Sequence, residues 1–89
     1  MAELKKVIKR NGKIVDFDKS KISRAIFKAA QSIGGKDFNL AKEIADKVEF
    51  YGKVSLNTDT PTVEQVQDCV EKVLIEEGHA QTAKAYILY

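Results

Sequence analysis

The chain has 89 residues, of which 44% are hydrophobic and 31% charged, a balance typical of one folded domain and not of a disordered segment. Its formal net charge of +2 is distributed unevenly. Residues 1–36 contain ten Lys or Arg against three acids and carry +7, whereas residues 37–89 contain five Lys against ten acids and carry −5. The basic first half indicates an anionic partner, although lysines that protect an edge strand would explain the same charges.

The composition excludes several classes of function. One cysteine, Cys69, permits no internal disulfide, and with a single His the chain has too few ligands for a transition-metal site. It has neither a Walker loop nor a dinucleotide fingerprint, and no apolar run approaches the roughly 18 residues of a membrane span. We expect a single cytoplasmic domain over residues 1–89, without a signal peptide or a membrane partner. With no nucleophile–base pair and no carboxylate dyad, we expect it to be non-catalytic.

The chain begins with a predicted β-hairpin. Two alternating segments, Leu4–Arg10 and Lys13–Phe17, meet at Asn11-Gly12, a strong short-range hairpin signal. The side chains expected to point inward are Val7, Ile14 and Phe17.

Two helices are predicted next. The first begins at Asp18 or Ser20, either of which can cap it, and ends at Gly34-Gly35. The second extends from about Asn39 to Phe50. Their apolar positions recur at helical spacing and predict buried faces. These positions are Ile22, Ala25, Ile26, Ala29, Ala30 and Ile33 in the first helix, and Leu40, Ile44, Ala45 and Val48 in the second.

The second half of the chain predicts a short third strand and two further helices. The strand is Val54–Leu56, and Thr62 with Gln65 forms a capping box for a helix that ends at Gly78. The last helix is predicted over 79–89. The expected buried residues are Val63, Val66, Cys69, Val70, Val73 and Leu74, then Ala83, Ala85, Ile87 and Leu88. The predicted class is α+β, a four-helix bundle covered by a small three-stranded mixed sheet that includes the hairpin.

Cations cluster at the junction of the hairpin and the first helix, and such a cluster could bind a phosphate chain. Lys9 and Arg10 lie on the outgoing strand, and Lys21 projects from the first turns of the helix, whose start adds a partial positive charge. An adenine ring would need a flat apolar slot and a polar group that reads its edge, for which Asp18 or a backbone group is available. The slot candidates are Val7, Val15, Phe17 and Ile22. Hairpins with several lysines are common, so the spacing alone leaves a solvated hairpin open.

Three blocks of sequence resemble the ATP-cone domain: Val7–Ile22, Thr60–Glu71 and Gly78–Tyr89. They cover nearly the whole chain in the family's order. The resemblance implies a three-stranded sheet over a four-helix bundle, and the role of an N-terminal allosteric module of a ribonucleotide reductase. There the module binds ATP as activator or dATP as inhibitor, with Mg²⁺ on the phosphates, and controls overall activity through subunit assembly. The implied partners are an adenine nucleotide, the rest of the reductase chain and its subunits, in a nucleotide-dependent oligomer. The second and third blocks favour the anaerobic type of reductase.

The resemblance also implies roles for single residues. Lys9 and Arg10 would contact the phosphates, while the Gly12 turn would let the backbone come close. Lys21 would reach the phosphates or the ribose. Asp18 would hydrogen-bond the base or sugar, and the last of the implied nucleotide-binding residues, Thr62, would line the far side of the nucleotide.

Two positions depart from the family's pattern. Some relatives carry an acidic residue that reads the adenine amino group where this chain has Val15, which leaves that contact to backbone or Asp18. The family also continues with a basic residue after the position of Tyr89. Two other functions therefore stay open: a nucleic-acid-binding or transcription-regulatory module that uses the basic first half, and a structural domain that has lost its ligand.

Overall fold

The computed structural model of the chain describes residues 3–88, and within them it contains one antiparallel hairpin followed by four helices. The elements are β1 (Lys6–Ile8), β2 (Ile14–Asp16), α1 (Lys19–Ser32), α2 (Phe38–Ser55), α3 (Val63–Glu76) and α4 (Ala80–Leu88). Helix α1 packs against α2 and α4, and α3 packs against the same two helices, so the four helices form a bundle. The predicted α+β class, with four helices and an N-terminal hairpin, is confirmed.

The register of the hairpin decides which of its side chains face the bundle. Val7 lies opposite Val15, and Lys6 lies opposite Asp16. Because successive residues of a strand point to opposite faces, Ile14 shares the face of the Lys6–Asp16 ion pair and not that of Val7. Val7 packs against the core, whereas Ile14 is 61% exposed. The prediction of Ile14 as an inward residue was therefore wrong.

The hairpin turn is a three-residue loop and not a two-residue one. The Lys9 N–H donates to the Lys13 carbonyl at 2.8 Å, and the Gly12 N–H donates to the Lys9 carbonyl at 2.9 Å. Among the described residues only glycines have positive φ, and Gly12 has φ +85°. A single left-handed glycine at the end of the loop is typical of a type I turn followed by a bulge. The Asn11 side chain accepts from the Lys13 N–H at 3.0 Å and holds the loop.

Helix α2 is longer than predicted and replaces the expected third strand. The helix continues through Ser55, and the Leu56 N–H caps it by donating to the Gly52 carbonyl at 2.9 Å. Leu56 packs against the core as the last apolar residue on that face, which favours continued helix over a strand at 54–56. Residues 3–88 thus contain a two-stranded sheet, and the predicted third strand was wrong. None of the helices found there is long and apolar enough to cross a membrane.

The segment before α3 lies alongside β1. Ile8 forms an isolated parallel bridge with Thr62, and the Ile8 N–H donates to the Pro61 carbonyl at 2.9 Å. The Lys5 N–H donates to the Asp59 carbonyl at 2.8 Å. These bonds fix the hairpin beside the start of α3.

Side-chain caps set the starts of the first three helices. Asp18 caps α1, and Asp37 caps α2 by accepting from the Leu40 N–H at 3.0 Å. Thr62 caps α3 in the predicted capping box with Gln65, in which each side chain accepts from the other residue's backbone N–H.

The core lies between the four helices, and the hairpin closes one side of it. Its buried residues are Ile22, Ile26, Ala41, Ile44, Ala45, Val48, Val66, Cys69, Val70, Val73, Leu74 and Ala83. Partly buried side chains pack against them, namely Val7, Phe17, Phe27, Tyr51, Leu56 and Tyr86.

Four residues predicted to be buried are exposed. Ile33 follows the last turn of α1, and Leu40 lies in the first turn of α2. Ile87 and Leu88 lie in the last turn of α4. The predicted end of that helix, Tyr89, lies outside the described residues.

Candidate functional site

An open groove of about 460 Å³ lies where α1, α3 and α4 meet. Its lining residues are Lys21, Arg24, Ala25, Lys28, Gln67 and Tyr86. The three basic residues are spaced at i, i+3 and i+7, so they project from one face of α1. The volume is within the range of small-molecule sites, and the lining has three cations and no acid. This arrangement can hold a small anion with several charges.

Two other grooves of similar size on the described surface lack this concentration of positive charge. One of about 420 Å³ runs along α3 and is lined by three carboxylates and one lysine, so it would repel an anion. Another, of about 520 Å³, lies between the end of α1 and α4 and contains Lys84 as its one cation. The groove between α1, α3 and α4 is therefore the candidate site.

Tyr86 gives the groove an aromatic wall. Its side chain is partly buried against the core, and this burial raises the pKa of the Tyr86 phenol, which keeps the hydroxyl neutral. An aromatic ring beside cations can offer a flat apolar surface to a heterocycle. The groove thus combines positive charge with one aromatic ring.

Arg10 connects the hairpin tip to the groove. Its Nε donates to Glu64 Oε2 at 2.9 Å, and its Nη2 donates to Gln67 Oε1 at 3.2 Å. Since Gln67 also lines the groove, the Arg10 guanidinium lies at its edge. The predicted pair Arg10 and Lys21 is brought to one region of the molecule, since Gln67 bonds Arg10 and lines the same groove as Lys21.

Lys9 lies away from the groove lining. Its side chain, together with Arg10, Asn11 and Val63, borders a shallow depression of about 320 Å³ at the hairpin tip. Gly12 is the last residue of the loop that forms this hairpin tip. The predicted phosphate-contacting cations are therefore divided between the hairpin tip and α1.

Asp18 is engaged as a helix cap. Its carboxylate accepts from the Ser20 hydroxyl at 2.6 Å and from the Ser20 N–H at 3.0 Å. These hydrogen bonds, the one from the hydroxyl first, lower the pKa of the Asp18 carboxyl below 3.8. Thr62 is likewise engaged, because its hydroxyl oxygen accepts from the Gln65 N–H at 3.2 Å. Each keeps an exposed or half-buried position at the start of its helix.

The four apolar residues predicted to form a slot belong to the packing between hairpin and bundle. Val7 and Phe17 pack against the core, and Ile22 is 8% exposed. Val15 is half-buried opposite Val7. They lie between the hairpin and α1 and do not line the groove.

Besides Ala25, which was predicted only as a core residue, four groove residues were not among the predicted nucleotide-binding residues, namely Arg24, Lys28, Gln67 and Tyr86. The first two carried a usable signal, because the spacing of 21, 24 and 28 puts three cations on one helix face. The places of Gln67 and Tyr86 in the groove depend on how α4 packs against α1 and α3, which no local pattern in the sequence shows.

The fold and the groove define a class, a small α+β domain with a cationic cleft beside an N-terminal hairpin. The family model described as "ATP cone domain" matches residues 5–89. The chain therefore belongs to the ATP-cone domain family, and the resemblance seen in its three sequence blocks is confirmed.

Curated relatives of the chain are reductases. A vitamin B12-dependent ribonucleoside-diphosphate reductase of Thermoplasma acidophilum is 42% identical over 91 residues, which cover 97% of this chain and 12% of the relative. A ribonucleoside-diphosphate reductase subunit alpha of Chlamydia muridarum is 37% identical over 92 residues, 93% of this chain and 9% of the relative. An anaerobic ribonucleoside-triphosphate reductase of Salmonella typhimurium is 31% identical over 83 residues, 93% of this chain and 11% of the relative. The chain thus spans about an eighth or less of the length of these proteins.

Proposed function

We propose that this ATP-cone domain is a non-catalytic sensor that binds ATP or dATP at the groove and the adjoining hairpin. The observation that carries the proposal is the convergence of Lys21, Arg24 and Lys28 on one groove, with Arg10 at its edge. A triphosphate needs cations from more than one element, and here they come from α1 and the hairpin.

The phosphate chain is assigned to these cations. Arg10 and Arg24 can grip phosphate oxygens in fork geometry, while Lys21 and Lys28 act as mobile point charges. Lys9 adds a cation at the hairpin tip, where the Gly12 turn exposes backbone. The groove lining contributes no carboxylate, so Mg²⁺ would be carried on the phosphate oxygens and not by these side chains.

The adenosine is assigned to the side of the groove nearest the hairpin. Asp18 at the start of α1 and Thr62 at the start of α3 are the polar groups available to the ribose and the base. The apolar surface is the contact between the hairpin and α1, to which Val7, Val15 and Phe17 contribute from the hairpin side and Ile22 from α1. Its use by an adenine ring requires the hairpin to lift from the bundle, since these side chains are packed there.

The parent protein is proposed to be a ribonucleotide reductase in which this domain controls overall activity and assembly. The support is the family and the names of the relatives, of which vitamin B12-dependent, subunit alpha and anaerobic kinds are represented. ATP and dATP differ by one hydroxyl, and a difference of about 1–3 kcal/mol in binding free energy between two states of the parent is enough for a switch. The partners are then the rest of the reductase chain and its subunits, in a nucleotide-dependent oligomer.

Isothermal titration calorimetry of the 89-residue chain with ATP, dATP and GTP in Mg²⁺ tests this function. We expect saturable binding of both adenine nucleotides, weaker binding of GTP, and at least a tenfold loss of affinity in Lys21→Ala/Arg24→Ala. The matched control is Lys36→Ala/Lys42→Ala, which removes the same charge from residues that do not line the groove. Equal losses in the two double variants would show that only net charge matters and would contradict the proposed site.

The same basic stripe on α1 also supports the second candidate, a nucleic-acid-binding module. The cations along one helix face could follow a phosphate backbone. This function predicts binding of any polyanion with a steep dependence on salt and little preference for adenine. Titration with a short duplex at two salt concentrations separates it from nucleotide sensing.

A further inference from the structure

Arg10 is already paired in this structure, and its partner has the wrong charge to belong to a phosphate site. The Glu64 carboxylate accepts from Arg10 Nε at 2.9 Å, across 54 positions of sequence. The second bond, from Arg10 Nη2 to Gln67 at 3.2 Å, holds the same guanidinium over the first turns of α3. Both contacts join the hairpin tip to α3.

We propose that Glu64 competes with a nucleotide phosphate for Arg10, so that ligand binding displaces Glu64 and weakens the attachment of the hairpin tip to α3. This inference rests on the proposed function and names a regulatory contact within that same site. Of the five guanidinium N–H donors, Glu64 and Gln67 each occupy one, which leaves three for a phosphate. The charge of the guanidinium is nevertheless offset by the carboxylate beside it, and a phosphate approaching Arg10 would be repelled by Glu64.

The pair is weak enough to be displaced. The side chains of Arg10 and Glu64 are 70% and 54% exposed, so solvent screens their attraction. A phosphate offers the same guanidinium two oxygens in fork geometry, which a single bond from Nε does not use. Exchange of partners is therefore favourable for a triphosphate and unfavourable for a ligand without phosphates.

The consequence of the exchange lies in the hairpin. Backbone bonds from Lys5, Lys6 and Ile8 tie β1 along its length to Asp59 and Pro61, and they do not involve Arg10. Apart from these backbone bonds, the hydrogen bonds that the described residues form between the hairpin tip and α3 are the two from Arg10. Loss of the Glu64 bond would leave β1 attached to 59–61 and the tip held to α3 by the single Arg10–Gln67 bond, so the tip is tied more weakly and can move with the ligand.

Glu64→Gln tests the competition, because it removes the charge and keeps the shape. We expect ATP to bind about two- to fivefold more tightly to this variant than to the wild type, the range of a weak exposed ion pair. Glu71→Gln, the same change two turns further along α3, is the matched control and should leave the affinity within about 1.5-fold, since Glu71 is not bonded to Arg10. In an Arg10→Ala background, Glu64→Gln should no longer tighten binding.

The outcomes separate this inference from the proposed function. Absence of ATP binding to the wild type would overturn both. Wild-type binding that Glu64→Gln leaves unchanged or weakens would overturn the competition alone, because a carboxylate that positions Arg10 for phosphate would give that result. Tightening that persists without Arg10 would also overturn it, since a general charge effect would then be responsible.

Discussion

The Asp18 carboxylate at the start of α1 makes the free energy of unfolding depend on pH. Asp18 accepts from the hydroxyl and the N–H of Ser20, and these bonds favour its charged form. The pKa of the carboxyl is therefore lower in the folded protein than its ordinary value of 3.8. A lowered pKa means that the folded state holds the proton less tightly than the unfolded state does. The carboxylate consequently adds stability above the unfolded pKa, and this stability is lost as the pH falls through the folded pKa.

Asp18→Asn isolates this effect, because Asn remains a good cap and does not titrate in this range. We expect the difference in free energy of unfolding between wild type and variant to be constant above about pH 5 and to shrink as the pH falls below about 4. Urea unfolding at intervals from pH 7 to pH 2 measures it. The Lys6–Asp16 pair, which also lowers a carboxyl pKa, is present in both proteins and cancels. A difference that does not vary with pH would contradict the assignment.

Lys21 and Arg10 show how much of the candidate site could be predicted from the sequence. Lys21 lines the candidate groove, and its direction could be predicted because helical spacing and the position of the Asp18 cap decide where it projects. The Arg10–Gln67 contact could not be predicted, because it joins positions 57 apart and depends on how the hairpin is set against α3. Local rules describe a side chain's direction, and tertiary packing decides its neighbours.

At the scale of elements, the hairpin turn depends on one glycine. Gly12 has φ +85°, and a Cβ built there would meet nothing within 4 Å, so any cost of substitution comes from the backbone conformation and not from a clash. Left-handed backbone costs an ordinary residue about 1–2 kcal/mol, and less for Asn.

We therefore expect Gly12→Ala to lower the free energy of unfolding by about 1–2 kcal/mol. Gly12→Asn, which adds a larger side chain at the same place, should lower it by less than half as much. Urea denaturation of the three proteins gives both values. A greater loss for Asn than for Ala would mean that space, and not φ, limits the position.

Helices whose ends carry a strong sequence signal, such as a capping box, were predicted well, and elements without such a signal were not. The Thr62–Gln65 capping box fixed the start of α3 at the predicted residue. Helix α2 was predicted to end near Phe50, but no Gly or Pro lies there to end it. Gly52 is accommodated within the helix, where the absence of a Cβ leaves room for Leu4. The predicted third strand at Val54–Leu56 was wrong for that reason, because the helix continues through Ser55. The segment that pairs with β1 instead lies at 59–62, before the helix cap.

At the scale of the whole molecule, the groove exists because three helices pack on one core. A domain of 89 residues is expected to have a total stability of about 4–13 kcal/mol, so one large buried side chain is a substantial part of it. Leu74 is fully buried on α3, and its neighbour Ile75 is 52% exposed.

Leu74→Ala should lower the free energy of unfolding by about 2–5 kcal/mol, since it removes buried methyl groups and leaves a cavity. Ile75→Ala removes a side chain of equal size from the surface and should cost less than about 1 kcal/mol. Thermal or urea unfolding of the pair provides the comparison. Equal losses would place the core elsewhere than between the helices.

The central claim, that an adenine nucleotide binds where α1, α3 and α4 meet beside the hairpin, is tested most directly by nitrogen-15 NMR of the wild-type chain titrated with Mg–ATP. We expect saturable shifts of the amides of 21–28, Gln67 and the hairpin tip 9–12. We expect no shift at Phe50 and Val54, which lie exposed on α2, outside the groove lining. Shifts concentrated on α2 or on the acidic face of α3, or no shift at any ATP concentration, would contradict the claim.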